Sequence, residues 1–260
     1  MFLREYIAHQ LIRTPFEDLS HNLRDLTRIK QRIQHPELKE IYAESDRMNE
    51  VISRLVKPSM NCIDIGAHLG SVLSKIVQFS PNGKHIAIEP VPYKYEWLVK
   101  KFPEVKIFQK ALSDQSGEVD FFLQPYRSGF SGLKIHASGL GKKQVKRLTV
   151  NCTKLDDIIP PEVSIGLIKI DVEGAELSAL QGGENLINQY HPSIIFECTQ
   201  SGLGTFSLSP QQIYDFFQKH SYSLFLFKDW LSSGKALDYD RFTEAMRYPF
   251  QAFSFLAAVE

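Results

Sequence analysis

Beyond Lys57 the chain alternates between short apolar segments and amphipathic helical segments, and this alternation limits the folds open to it. The predicted strands cover 61–65, 85–89, 105–108, 165–171, 193–197, 222–227 and 253–259. The predicted helices between them cover 71–79, 93–102, a segment from about 173, and 210–220. Strands that alternate with helices form a mostly parallel sheet with helices on both faces. The sequence therefore predicts an α/β protein with a doubly wound, seven-stranded sheet.

Residues 1–57 lack this alternation and are predicted to form a helical N-terminal extension to a domain spanning 58–260. The segment 14–17 has the N-cap threonine, first-turn proline and glutamate of a capping box. Apolar residues then follow at helical spacing as far as Ile33, and a second helical stripe covers 38–55. The extension either packs on the main domain as a cap or acts as a lid over substrate or a dimer contact.

Charge, hydropathy and cysteine usage narrow the class of protein. Of the 260 residues, 30 are Lys or Arg and 30 are Asp or Glu, so the formal net charge is zero. This balance argues against a general nucleic-acid or membrane-surface binder, and no apolar run approaches the ~20 residues of a membrane helix. The cysteines form no CxxC pair, which argues against a disulfide framework or structural zinc. They are Cys62, Cys152 and Cys198. We expect a soluble, cytoplasmic protein.

A basic insertion interrupts the alternation at about 119–152 and is predicted to form a β-hairpin from strands at 119–123 and 146–150. Between these strands lies a stretch rich in Gly and Ser, 127–134. Seven basic residues and no acidic residue occur between Phe121 and Leu155, namely Arg127, Lys134, Lys142, Lys143, Lys146, Arg147 and Lys154. Such a block can attract an anionic substrate as a mobile lid, or it can be a solvated loop.

The turn after the first predicted strand carries Gly66 and Gly70, and Asp64 precedes it. Glycines let the backbone approach a ligand closely, and ligands of such sheets bind at the carboxyl ends of strands. Glu89, at the end of the second strand, can accept hydrogen bonds from both ribose hydroxyls of an adenosine ligand. The G-x-G pair of a dinucleotide site and the Lys-Ser/Thr pair of a P-loop are missing. An acid at position 64 suits a cofactor with an amino group and a sulfonium, so we expect S-adenosylmethionine, with a structural turn as the alternative.

The segment 167–177, Leu-Ile-Lys-Ile-Asp-Val-Glu-Gly-Ala-Glu-Leu, resembles the strand–turn–helix signature of the FkbM-type methyltransferases. These enzymes belong to the Rossmann-like class I fold that uses S-adenosylmethionine. Further stretches follow in the family's order at 64–67, 88–90, 111–117, 155–157, 182–184 and 192–197. The resemblance covers roughly 60–200 and does not extend to the N-terminal extension.

The resemblance implies which residues surround each part of the cofactor. They are Asp64, Gly66, His68 and Gly70 at the methionine portion, Glu89 at the ribose, and Ser113 and Asp114 at the adenine. His68 is a departure, because the family more often has Asn in this turn.

Three carboxyl groups, those of Asp171, Glu173 and Glu176, lie within six residues at the end of the strand that precedes the signature helix. Asp171 is the first candidate for the catalytic group, either orienting the amine of the cofactor or taking a proton from an acceptor hydroxyl. Glu173 is the second candidate and Glu197, at the next strand end, the third; for Glu176 helix capping is an equal alternative. Aligned carboxylates could instead ligate a divalent ion, but no metal is predicted. His68 and His136 are alternative bases.

Together these features predict an S-adenosylmethionine-dependent methyltransferase acting on a hydroxyl of a small molecule or glycan, and the basic insertion would suit an anionic acceptor. N-methylation of an amine or peptide and a non-catalytic cofactor-binding role are the alternatives. The Asp/Asn-Pro-Pro-aromatic run of enzymes that methylate nucleic-acid amines is absent, so neither nucleic acid nor membrane is expected as a partner. The sequence leaves a homodimer open.

Overall fold

A computed structural model describes Thr14 and residues 31–125, 128–135 and 145–259. The predicted first helix, up to Ile33, therefore lies mostly outside the described residues. The same holds for Arg127, His136, Lys142 and Lys143 of the insertion.

The described residues contain ten strands, ten α-helices and two short 3₁₀ turns from residue 36 onwards, and residues 31–34 are also helical. The strands are β1 (Cys62–Ile65), β2 (Ile86–Ile88), β3 (Lys106–Phe108), β4 (Ala111–Leu112), β5 (Gly117–Leu123), β6 (Lys146–Thr153), β7 (Leu167–Ile170), β8 (Ser193–Glu197), β9 (Ser223–Phe225) and β10 (Ser254–Ala258). The helices are α1 (Lys39–Tyr42), α2 (Glu44–Leu55), α3 (Ser71–Phe79), α4 (Pro92–Lys101), α5 (Glu176–Gln181), α6 (Glu184–Tyr190), α7 (Gln200–Thr205), α8 (Pro210–Lys219), α9 (Phe227–Leu231) and α10 (Tyr239–Ala245).

Seven strands form one sheet in the order β3-β2-β1-β7-β8-β10-β9. Strand β10 runs antiparallel to both of its neighbours, and the other pairings are parallel. The strand order reverses direction between β1 and β7, so a crevice opens there at the carboxyl ends of the strands. The predicted α/β class, with a mostly parallel, Rossmann-like seven-stranded sheet, is confirmed.

Alternate residues along each central strand serve the two faces of the sheet. On one face Ile168 and Phe196 pack in a large core with Phe217 of α8. On the other face Leu167 packs with Ile52 of α2 in a second core. Helices therefore cover both faces, as predicted.

Helix α2 of the predicted N-terminal extension is built into this second core. Val51 and Ile52 are fully buried there, together with Ile195 of β8. The Glu44 carboxylate accepts hydrogen bonds from the backbone N–H groups of Phe253 and Ser254, 209 and 210 residues away in sequence. The first described long helix is thus tied to the last strand.

The insertion forms the predicted hairpin, in which β5 and β6 pair antiparallel. Both strands are longer than expected, and β6 also pairs in parallel with the two-residue strand β4, so the hairpin belongs to a separate three-stranded sheet. An isolated bridge between Phe122 and Gly132 folds the following segment back along β5.

Some element boundaries differ from the sequence prediction. The helix expected from about Glu173 begins at Glu176, because Glu173 and Gly174 adopt positive φ angles of 58° and 101°. The strand expected over 222–227 ends at Phe225, since α9 begins at Phe227. A capping box formed by Ser209 and Gln212 starts α8. Within the described residues, no helix combines the length and apolar character that crossing a membrane would require.

Candidate active site

A cavity of about 300 Å³ lies at the carboxyl ends of β1, β2 and β7. The turn after β1, the end of β2 and the segment after β7 form its floor and sides. Ala111 and Leu112 of β4 and Phe121 of β5 contribute apolar wall, and Gly129, Ser131 and Leu133 of the insertion line it as well. The cavity therefore occupies the switch point where an α/β sheet binds its ligand.

The turn after β1 depends on its two glycines. Gly66 has a φ of 72°, and a Cβ there would lie 1.9 Å from the backbone oxygen of Asp171. Gly70 has a φ of 89°, and a Cβ there would lie 2.4 Å from the ring of Phe102. The backbone N–H groups of Gly66 and Ala67 both donate to the carbonyl of Ile88. The turn is thus held against β2 on one side and β7 on the other.

Glu89 follows β2 and is 3% exposed at the wall of the cavity. Its Oε2 accepts from the backbone N–H of His68 at 2.9 Å, and its Oε1 accepts from that of Val91 at 3.0 Å. Burial raises the pKa of the carboxyl, while Lys94 and these two donors oppose the rise. Each carboxylate oxygen can accept a further hydrogen bond, so Glu89 fixes the turn and can still serve a ligand.

A buried lysine joins the ends of β1 and β7. Lys169 Nζ lies 3.3 Å from Asp64 Oδ1 and 3.5 Å from Asp171 Oδ2, and it donates to the Gly66 carbonyl at 3.1 Å. Burial alone would lower the pKa of Lys169, but the charges of Asp64 and Asp171 raise it well above its usual value. The ammonium group is therefore charged. The sequence analysis assigned no role to Lys169. A lysine within the apolar run of β7 nevertheless indicates a buried charge that needs a partner.

Three carboxyl groups converge beside Lys169. Asp171, Glu173 and Glu197 each present an oxygen atom within 4.8 Å of the others. Burial, followed by the charges of Asp171 and Glu176, raises the pKa of Glu173 to about 9. Burial and the charge of Asp171 also raise the pKa of Glu197 well above its usual value. Crowded carboxyls either share protons or surround a divalent cation.

Glu176 shapes the loop that carries Glu173. It is 2% exposed, and its Oε1 accepts from the backbone N–H groups of Val172 and Gly174 at 3.0 and 3.2 Å. Gly174 itself is required by close packing, because a Cβ would lie 2.4 Å from the carbonyl oxygen of Gly202. Glu176 therefore holds this loop in place, whereas the N-cap residue of α5 is Ala175, which makes no side-chain cap hydrogen bond.

The cavity brings together some of the residues that the sequence singled out. Its lining includes Gly66, His68, Glu89, Asp171 and Glu173. The other predicted cofactor residues, Asp64, Gly70, Ser113 and Asp114, are not among the lining residues.

Each residue outside the lining has a contact of its own. Asp64 is 1% exposed, and its ion-pair partner is Lys169. Gly70 precedes α3 and packs against Phe102. Ser113 and Asp114 come directly after β4, where the Ser113 hydroxyl donates to Asp114 Oδ1 at 2.9 Å. Direct contact of these four residues with a cofactor stays a prediction.

The insertion lines one side of the cavity. A Cβ on Gly132 would lie 3.2 Å from Cβ of Glu173, so the insertion passes directly beside the acidic cluster. Lys134, one of the basic residues of the insertion, has its ammonium 4.8 Å from the ring centroid of Phe206, a cation–π distance. Lys94 and Lys110 line the cavity instead and were not predicted from the sequence.

The protonation of Glu173 predicts how stability depends on pH. A carboxyl whose pKa is higher in the folded protein than in the unfolded chain destabilises the fold as pH rises. The penalty grows from about pH 4.5, the unfolded pKa, to about pH 9, the folded pKa. Glu173→Gln removes this penalty. At pH 8 we expect the variant to have a free energy of unfolding higher by roughly 1–3 kcal/mol and a melting temperature higher by a few degrees. At pH 4.5 we expect little change in either quantity.

Thermal melts across this pH range check the prediction, and Glu162→Gln, which changes an exposed carboxyl before β7, is the control. Equal pH dependence of the variant and the wild type would show that Glu173 is ionised in the folded protein. A melting temperature that MgCl₂ raises in the wild type alone would favour a bound cation over shared protons.

Comparison with known proteins identifies the family of the chain. Residues 64–224 match the family described as the methyltransferase FkbM domain. The match covers more than half of the chain and contains the glycine turn, Glu89 and the acidic cluster, and the chain belongs to this family.

Two curated relatives and one solved structure are similar to the chain. The 2-O-methyltransferase NoeI of Sinorhizobium fredii is 27% identical, over 54% of this chain and 64% of the relative. The AMB antimetabolite synthetase AmbE of Pseudomonas aeruginosa is 25% identical, over 72% of this chain and 11% of the relative. The chain thus spans less than two thirds of the length of either relative. The crystal structure of methyltransferase FkbM from Methylobacillus flagellatus KT has a TM-score of 0.48 at 16% identity, covering 80% of this chain and 47% of that one.

Proposed function

We propose that the protein is an S-adenosylmethionine-dependent methyltransferase that methylates a hydroxyl of a small molecule or glycan. The observation that carries the proposal is the cavity bounded by the glycine turn, Glu89 and Asp171 at the switch point of the sheet. Family membership supports the cofactor. Similarity to a protein named as a 2-O-methyltransferase supports oxygen as the acceptor atom.

The residues at the cavity suit the parts of this cofactor. A Cβ at position 66 would meet the backbone of Asp171, so glycine there lets the turn pack closely against the end of β7 beside the cavity. The free lone pairs of Glu89 would accept from both ribose hydroxyls. Ser113 and Asp114, just beyond the wall residues of β4, would reach the adenine. Gly66, His68 and Gly70 would surround the methionine portion, with Asp64 beneath them.

S-adenosylmethionine would supply a methyl group already activated by its sulfonium. The protein then needs to align the acceptor and take its proton. Asp171, whose side chain is 38% exposed and paired with Lys169, would accept that proton. Glu173, with a pKa of about 9, would be protonated at neutral pH and donate a hydrogen bond to the acceptor oxygen. The insertion beside Glu173 would limit access of water.

Lys110 favours an acceptor that carries negative charge. It lines the cavity, as does Lys94, but the charge of Lys94 already acts on Glu89 and Glu173. The charge of Lys110 would attract a phosphorylated or carboxylated acceptor and would be screened by salt. We also propose that 58–260 is the catalytic domain, with α2 of the N-terminal extension completing its core.

Titration calorimetry and a product assay test the function. S-adenosylhomocysteine should bind, and NAD should bind at least about tenfold more weakly because the G-x-G pair is missing. Tighter binding of NAD would overturn the cofactor assignment. Acceptors that offer hydroxyls, compared with acceptors that offer amines, then separate O- from N-methylation by the release of S-adenosylhomocysteine. Binding of the cofactor without turnover on any acceptor would support a non-catalytic role.

Glu89→Gln is expected to weaken the binding of S-adenosylhomocysteine by about tenfold or more. The amide keeps the size of the side chain and one acceptor oxygen, but it loses the charge and the second acceptor for the ribose diol. Calorimetry measures the change, and Glu96→Gln on the exposed face of α4 is the matched control. Unchanged affinity in Glu89→Gln would remove Glu89 from the cofactor site.

A further inference from the structure

Lys169 is an unusual residue for the middle of a buried parallel strand. Its neighbours Ile168 and Ile170 are 0% and 2% exposed, and Lys169 itself is 6% exposed. In the register of the sheet it lies directly opposite Asp64 of β1. An apolar residue would satisfy the packing at this position, and replacing a buried ion pair by apolar residues is often neutral or stabilising. The fold alone therefore gives no reason for a lysine here.

The ammonium group contacts three separate parts of the site. It has three N–H donors, and its contacts are the Gly66 carbonyl, the Asp64 carboxylate and the Asp171 carboxylate. The first belongs to the glycine turn, the second to β1 and the third to the end of β7. Gly66 and Asp171 follow directly after the paired strands β1 and β7, and both line the cavity. Lys169 therefore orients the Gly66 carbonyl and the Asp171 carboxylate at this edge of the cavity.

A role limited to neutralising Asp64 fits these contacts less well. The Asp64 side chain is 0% exposed, and neither of its oxygens makes a hydrogen bond within the described part of the chain. Its charge thus needs Lys169. Yet Lys169 lines the cavity whereas Asp64 does not, and its hydrogen bond goes to Gly66 rather than to Asp64. The buried aspartate is better understood as the group that holds the ammonium in place.

We propose that Lys169 is a positioning residue of the cofactor site, which orients the Gly66 carbonyl and the Asp171 carboxylate where they line the cavity. The inference rests on the proposed function, because it assigns these groups to the S-adenosylmethionine site. It predicts that loss of the ammonium group impairs cofactor binding even where the stability of the fold is preserved.

Two variants separate positioning from charge neutralisation. Lys169→Met keeps the length of the side chain but leaves Asp64 buried without a partner, so both the melting temperature and the affinity for S-adenosylhomocysteine should fall. Adding Asp64→Asn removes the unpaired buried charge and should restore most of the melting temperature. In the double variant the affinity should remain about tenfold or more below that of Asp64→Asn alone, because the Gly66 carbonyl still lacks its donor and the Asp171 carboxylate still lacks its cation. Lys100→Met, on the exposed face of α4, is the matched control.

The outcomes can be told apart from a failure of the proposed function. If the wild type does not bind S-adenosylhomocysteine, the proposed function is wrong. If the wild type binds and the double variant recovers its affinity to within about threefold, Lys169 is only the counter-ion of Asp64 and the inference is overturned. If Lys169→Met does not fold, Lys169→Arg is the second variant, because it retains the charge. Affinity close to wild type in Lys169→Arg, together with weak binding in the double variant, supports positioning.

Discussion

Gly66→Ala is expected to lower the free energy of unfolding by about 2–4 kcal/mol and to weaken S-adenosylhomocysteine binding by more than tenfold. A Cβ at this position would lie 1.9 Å from the Asp171 backbone oxygen. A change of side-chain rotamer cannot relieve this contact, because the Cβ and the carbonyl oxygen are both fixed by the backbone. The φ of 72° adds a further cost for any residue with a side chain. The turn must therefore move away from β7, which widens the distance that Lys169 spans.

Chemical denaturation and calorimetry measure the two losses. Gly204→Ala in α7 is the matched control, because a Cβ there meets nothing within 4 Å and its φ lies outside the left-handed region. In a helix that substitution should be neutral or stabilising by up to about 1 kcal/mol. A Gly66→Ala protein that is as stable as wild type and binds S-adenosylhomocysteine normally would show that the turn does not need to approach β7 closely.

Asp171→Asn is expected to give a folded protein whose methyl transfer falls by about 10²–10⁴-fold, the usual contribution of a general base. Asparagine has nearly the same shape but carries no negative charge, so packing should survive while proton acceptance is lost.

The affinity of Asp171→Asn for cofactor analogues gives a second readout, which needs no methyl acceptor. Sinefungin carries an amine where the cofactor carries its methyl group. Loss of the Asp171 charge should therefore reduce sinefungin affinity more than that of the uncharged thioether S-adenosylhomocysteine.

The ratio of these two affinities distinguishes a charge effect from a general loss of the site. Asp46→Asn, an exposed aspartate on α2, is the control and should leave the ratio and the melting temperature unchanged. Equal weakening of both ligands by Asp171→Asn would indicate distortion of the site rather than loss of charge. Full activity in the variant would return Asp171 to a structural role at the end of β7.

The sheet could be predicted because each of its strands is a short apolar run bounded by turn residues. The positive φ angles of Glu173 and Gly174, because of which α5 begins only at Glu176, could not be predicted from the sequence. They arise from the contacts of Glu176 with the loop and of Gly174 with Gly202, both of which depend on the folded structure. Helices α7, α9 and α10 are five to seven residues long, too short for helical periodicity to identify them.

The site was partly predictable for a related reason. Glu89 and Asp171 follow buried strands directly, and the carboxyl ends of parallel strands meet at one edge of the sheet. Whether a side chain at such a position faces the cavity or the sheet depends on strand pairing. Asp64 illustrates this, because its register opposite Lys169 gives it an internal partner that spacing along the chain does not reveal.

The bond between Glu44 and the backbone of Phe253 and Ser254 has a consequence for how the chain assembles. A ribosome completes α2 about two hundred residues before β10. The apolar side of α2 and its half-buried Glu44 carboxylate therefore lack their final partners through most of synthesis. Closing so long a loop costs conformational entropy, and contacts between distant segments slow folding. We therefore expect the second core, under α2, to consolidate last, after the central parallel strands have paired.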